Sequence, residues 1–155
     1  MSEILMLNGP NLNLLGKREP DLYGKLSLSE IELHAIQQAK DNGYSLHCFQ
    51  SNSESELVEQ IHQTLTDDTR IILFNPAAFT HSSISIRDAL LAVNKPCIEI
   101  HLSNPKAREA FRHASFISDI CLGTISGFGA MSYTLAVSAA IDWLLKINPV
   151  HHTEK

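Results

Sequence analysis

Three stretches of the chain hold side chains that could move a proton or grip an anion. In KREPDLYGK, residues 17–25, Tyr23 sits in a loop punctuated by Pro20 and Gly24, with Lys17, Arg18 and Lys25 around it. A ring in such a place is either a partly buried packing residue or a reactive phenol. In EIHLSN, residues 99–104, side chains of an extended segment alternate, so Glu99, His101 and Ser103 share one face and Ile98, Ile100 and Leu102 the other. A carboxylate and an imidazole are costly to bury unless paired or held at a ligand, and together they suit acid–base chemistry. Directly after, SNPKAREAFRH (103–113) reads as a short helix with Asn104 as N-cap and Pro105 at its first position. Four residues apart on such a helix, Arg108 and Arg112 face one way, as a solvated surface or as a clamp for an anion.

These side chains need a scaffold, and the hydrophobic pattern supplies one. Short apolar runs at 4–8, 44–50, 70–75, 97–103 and 117–126 read as five strands. Between them, Ser27 and Glu30 are spaced as a capping box, Leu28, Ile31, Ala35 and Ala39 line one helical face, and Gly43 ends the element. Residues 54–66 repeat the pattern with Leu57, Val58, Ile61 and Leu65, and 82–93 with Ile86, Ala89, Leu90 and Val93. A last helix over 130–147 is apolar on most of its surface, as one packed on a sheet or another subunit would be.

Strands alternating with helices imply right-handed crossovers and a parallel α/β sheet covered on both faces. The expected fold is a flavodoxin-like three-layer sandwich with strand order 2-1-3-4-5, formed as a single domain over 1–148 with a polar tail at 149–155. Ligands of such sheets bind beyond the carboxyl ends of the strands where strands one and three diverge. The asparagines after strand one, His81 after strand three, and the tyrosine loop all converge there.

Other chemistries find less support. The histidines lack clustered metal spacing, and there is no P-loop or HExxH motif. Asn8 stands where a phospho-acceptor receiver would place its aspartate. Gly123, Gly127 and Gly129 follow strand five rather than strand one, which suits a tight strand-to-helix turn and not the dinucleotide fingerprint. Cys48, Cys97 and Cys121 are odd in number, lie in apolar surroundings on probable strands, and read as buried reduced thiols. A net charge of -5 with 12 Lys plus Arg argues against a nucleic-acid partner. No apolar run approaches the ~20 residues of a membrane span, and no basic leader precedes the first strand, so a cytoplasmic location is expected.

The stretches NGPNLNLLGKREPDLYG, NPAAFTHSSISIRDAL and EIHLSNPKAREAFRHASFIS resemble, in order and at matching separations, the type II 3-dehydroquinate dehydratases of the shikimate pathway. The resemblance covers nearly the whole chain. It implies a homo-oligomer, a dodecamer built of trimers, that uses no metal and no cofactor. It also implies roles for particular residues. Tyr23 would remove a proton from C2 of 3-dehydroquinate, His101 would protonate the departing C1 hydroxyl, and Arg18 would favour the tyrosinate. Asn75, His81, the backbone at Leu102 and Ser103, and Arg112 would hold the substrate's carboxylate and hydroxyls. Asp88 would reach a neighbouring subunit's substrate. Asn11, Glu99 and Arg108 would support, Glu99 by orienting His101. Pro105 and the AMSY segment at 130–133 depart from the commoner family pattern, outside the matched catalytic positions.

A tyrosine base is physically reasonable. Free tyrosine, with a pKa of ~10, is ionised to about one part in a thousand at neutral pH; lowering that pKa by ~2 units takes roughly 2.7 kcal/mol. A guanidinium at ~4 Å in an effective dielectric of ~20 contributes about 4 kcal/mol before desolvation opposes it. Closure of 17–25 as a lid would exclude water and strengthen the effect. The alternative is a flavodoxin-like flavin- or nucleotide-binding module, which calls for a Ser/Thr/Gly-rich phosphate loop after strand one where this chain has NGPNLN. A non-catalytic scaffold would leave Glu99, His101, Arg108 and Arg112 without a purpose, and a Schiff-base route would need a buried lysine.

Overall fold

Five short strands, β1 (Ile4–Asn8), β2 (Leu46–Gln50), β3 (Ile71–Asn75), β4 (Cys97–His101) and β5 (Gly123–Ser126), alternate with helices. The helices are α1 (Leu28–Asp41), α2 (Glu54–Gln63), α3 (Ile84–Val93) and α4 (Met131–Ile147). These elements come from a computed structural model, which describes residues 2–17, 21 and 25–147. All pairings are parallel and the strand order is β2-β1-β3-β4-β5, the flavodoxin-like order expected from the pattern.

The period of two along each strand divides the core. Ile4, Met6, Ile71, Leu73, Ile98 and Ile100 pack with α1 and α4 on one face. Leu5, Leu7, Ile72, Phe74 and Cys97 pack with α2 and α3 on the other. β1 and β3 are buried along their whole length, so their carboxyl ends, Asn8 and Asn75, sit level with each other at the centre of the sheet. Just beyond, Gly9 donates its N–H to the Asn75 carbonyl at 2.8 Å. A Cβ at Gly9 would lie 2.3 Å from the Pro76 carbonyl oxygen, so only glycine lets the two strand exits run this close.

Helix starts follow the sequence. Ser27, Ser53 and Ser83 each accept a hydrogen bond from the backbone N–H three residues on. Four expectations are corrected. The run 117–126 is a strand only from Gly123, because Ser115 Oγ takes the N–H groups of Ile117 and Ser118 and turns Ser118–Ile120 into a 3-10 turn. The helix expected over 104–113 is two 3-10 turns, Pro105–Ala107 and Ala110–Arg112. Arg108 between them is extended, and its carbonyl accepts from His113 Nε2. The second helix stops at Gln63, where Thr64 bonds back to the Ile61 carbonyl, leaving Leu65 60% exposed instead of on the packed face. Cys121 lies in the turn before β5, and it and Cys48 are half-buried, whereas Cys97 is buried. All three are free thiols. Burial and the nearby Glu32 charge push Cys48 up to about 12, so it stays a thiol. Smaller differences trim the other strands: Tyr44, Ser45, Arg70, Leu102 and Ser103 lie outside them. No described helix is long and apolar enough to cross a membrane.

Candidate active site

Where β1 and β3 part, a cleft of about 270 Å³ opens beyond the carboxyl ends of the strands. Three segments enclose it. Asn11, Leu12 and Leu15 come from the turn after β1, Asn75, Ala77 and His81 from the end of β3 and the 3-10 turn after it, and His101, Leu102, Ser103, Arg108 and Arg112 from the end of β4 and the turns beyond.

The centre of its polar chemistry is the pair on β4. Glu99 and His101 lie on the same face, both buried, with His101 Nε2 2.5 Å from Glu99 Oε2. A carboxylate only accepts, so Nε2 carries the hydrogen and Nδ1 remains for a bound molecule. The other carboxylate oxygen accepts from Ser115 at 2.9 Å and Ser118 at 2.7 Å. Burial pushes the Glu99 carboxyl up, but the hydrogen bond and charge of His101 and the two serine hydroxyls outweigh it and leave its pKa below the ordinary 4.5.

Around the pair, each wall is fixed by its own hydrogen bonds. Asn75 is 3% exposed; its Oδ1 accepts from the Ala77 N–H at 3.1 Å, which turns the chain with Ala77 at φ 52°. His81 Nδ1 donates to the Ala114 carbonyl at 2.7 Å, which leaves Nε2 as the ring's other polar atom. Arg112 Nε is 2.7 Å from Glu109, and its guanidinium stacks over Phe111 at 4.9 Å. Arg108 donates to Ser103 Oγ at 3.2 Å. Two guanidiniums therefore converge on one rim although no helix carries them. Arg87 braces the loop behind, bonding both oxygens of Asp119 and the Phe116 carbonyl.

Of the residues expected at a site, Asn11, Asn75, His81, His101, Leu102, Ser103, Arg108 and Arg112 line this cleft, and Glu99 stands behind His101. Asp88 does not line it; it is exposed on α3. Arg18, Tyr23 and most of the expected lid, together with the 149–155 tail, lie outside the described residues. The flanks of that segment are described. Leu12 and Leu15 line the cleft, and a Cβ at Gly16 would lie 3.0 Å from the Lys25 carbonyl, so both ends of the segment emerge together beside it.

The family model described as Dehydroquinase class II matches residues 2–141. The chain belongs to the class II dehydroquinase family. A 3-dehydroquinate dehydratase of Xanthomonas euvesicatoria pv. vesicatoria is 56% identical over 141 residues, 91% of this chain and 95% of that protein. One from Actinobacillus pleuropneumoniae serotype 5b is 55% identical over 147 residues, 95% of each chain. Among solved structures, the type II dehydroquinase from Propionibacterium acnes superposes with a TM-score of 0.86 at 42% identity, covering 92% of this chain and 98% of that one. The type II dehydroquinase from Butyrivibrio crossotus gives a TM-score of 0.87 at 37% identity, covering 91% and 97%.

Two residues behind the cleft of this class II dehydroquinase carry no signal in the sequence. Ser115 and Ser118, which hold Glu99, lie in a segment with no periodicity to flag them. Their effect is measurable through pH. A carboxyl whose folded pKa is depressed adds stability above its unfolded pKa, and that contribution disappears as pH falls through the folded value. The stability difference between wild type and Glu99→Gln should therefore be constant above 4.5 and shrink below it, read by urea unfolding across pH. A difference that grows on acidification would contradict the ionised, clamped Glu99.

Proposed function

We propose that this dehydroquinase converts 3-dehydroquinate to 3-dehydroshikimate, a step of the shikimate pathway, by an enolate route. Tyr23, as tyrosinate favoured by Arg18, removes the proton from C2 and leaves an enolate at the neighbouring ketone. The C1 hydroxyl then departs with a proton from His101, delivered through Nδ1 because Nε2 is committed to Glu99. Arg112, His81, Asn75 and the backbone at Leu102 and Ser103 hold the carboxylate and hydroxyls, with Asn11 and Arg108 in support. The residues invoked in these roles need no metal and no cofactor.

The observation that carries this reading is the convergence of Asn75, His81, a carboxylate-held His101 and two arginines in one cleft of a chain whose relatives bear that activity in their names. The exposed position of Asp88 supports its reaching a neighbour's cleft, and exposed Phe111, Leu122, Phe128 and Met131 support a homo-oligomer, taken here as a dodecamer of trimers in the cytoplasm. Adding 3-dehydroquinate should produce the ultraviolet absorbance of the conjugated enone at a rate indifferent to chelator. No absorbance would overturn the activity, and chelator sensitivity would overturn the metal-free route.

A further inference from the structure

Asn8 closes β1 and has no part in the chemistry above, and Tyr133 reads as one more apolar residue of α4. The structure joins them to the cleft by a hydrogen-bonded chain. Asn75 Nδ2 donates to Tyr133 Oη at 2.9 Å, and Tyr133 Oη donates to Asn8 Oδ1 at 2.7 Å. Asn8 Nδ2 lies 3.5 Å from Glu32 Oε1 on α1. Asn8, Asn75 and Tyr133 are all buried.

The direction of each bond is forced. An amide NH2 only donates, so the phenol oxygen must accept from Asn75 and spend its own hydrogen on Asn8. Burial, opposed by the Asn75 hydrogen bond and aided by the nearby Glu32 charge, pushes the Tyr133 pKa up, so the phenol keeps that hydrogen. Glu32 accepts from the Asn8 amide, which turns the Asn8 oxygen toward the phenol. The Asn75 oxygen is held separately by the Ala77 N–H. Were the Asn75 amide to flip, its NH2 would meet the Ala77 N–H, donor against donor, and its oxygen would compete with Asn8 for the phenol hydrogen, leaving one acceptor buried and unpaired.

We infer that Tyr133 is a positioning residue that, through the Asn8–Tyr133–Asn75 chain, fixes which amide atoms Asn75 presents to the cleft. With one amide hydrogen on Tyr133 and one lone pair on Ala77, the second hydrogen and second lone pair of Asn75 face whatever the cleft holds. This rests on reading the cleft as the 3-dehydroquinate site. Because Asn75 grips the ground state and the transition state alike, loosening it weakens binding more than it slows chemistry.

The test is a double-mutant cycle of Tyr133→Phe with Asn75→Ala, with turnover of 3-dehydroquinate as readout and urea unfolding to show that each variant is folded. Y133F should raise KM about tenfold or more with a smaller fall in kcat. In the Asn75→Ala background it should change kcat/KM by less than about twofold, since the amide it orients is gone. If Y133F does not fold, Asn8→Ala reaches the same amide by freeing the phenol hydrogen, and should give the same rise in KM and the same silence beside Asn75→Ala. An unchanged KM, or an equal loss in both backgrounds, overturns the positioning role while leaving the activity intact. Failure of the wild-type enzyme to turn over 3-dehydroquinate overturns the functional reading and this inference with it.

Discussion

Tyr23→Phe should abolish turnover while leaving substrate binding nearly intact, with kcat falling by about 10³-fold or more and KM changing little. A positioned general base contributes ~10²–10⁴-fold, and phenylalanine lacks the hydroxyl that the proposed route uses to accept the C2 proton. The companion change, Arg18→Lys, should be milder but telling. Lysine retains a charge but not the planar, permanently protonated fork, so the alkaline shift of the acid limb of the pH–rate profile should report the loss of tyrosinate stabilisation. Initial rates of enone formation across pH measure both. A Tyr23→Phe enzyme with wild-type velocity would remove the phenol from the mechanism.

His101→Ala should have a comparable effect on rate and a second effect on stability. Loss of the proposed proton donor should cost ~10²–10⁴-fold in kcat. Glu99 is 2% exposed and would lose its principal partner, keeping Ser115 and Ser118. Removing one member of a buried pair destabilises by ~3–5 kcal/mol, and the two remaining hydroxyls should hold the effect to about 3 kcal/mol. The double variant Glu99→Gln with His101→Ala separates the two effects, because a neutral amide has no charge to leave buried. Its stability should recover most of the loss while its rate stays low. A double variant no more stable than His101→Ala would show that the charge of Glu99 was never at issue.

How much of this was legible in the sequence differs from segment to segment. Glu99 and His101 share a face because a strand allows no other arrangement, so period two alone placed them together. The strand order followed from alternating apolar runs, and β1 and β3 parted where the rule for such sheets puts a cleft. The rim was harder. Arg108 and Arg112 meet there through two 3-10 turns and an extended residue, a path set by Asn104, His113 and Lys106 side chains bonding to backbone, which leaves no periodic trace. The 117–122 run has the apolar content of a strand, yet Ser115 and the Arg87–Asp119 pair claim it for a turn. Tyr133 was hidden for the opposite reason: within an apolar helix its ring suits the core, and only the partners of its hydroxyl, Asn75 and Asn8, 58 and 125 residues away, give it a task.

Because the cleft opens between β1 and β3, its floor belongs to the innermost pair of the sheet. Deuterium can reach amides there only when the whole molecule opens, whereas the 105–120 rim, stitched at the surface by side chains, can open by itself. Substitutions around Arg108 and Arg112 should therefore change the proposed anion grip without endangering the fold. Substitutions at Asn8, Gly9 or Asn75 touch recognition and folding at once.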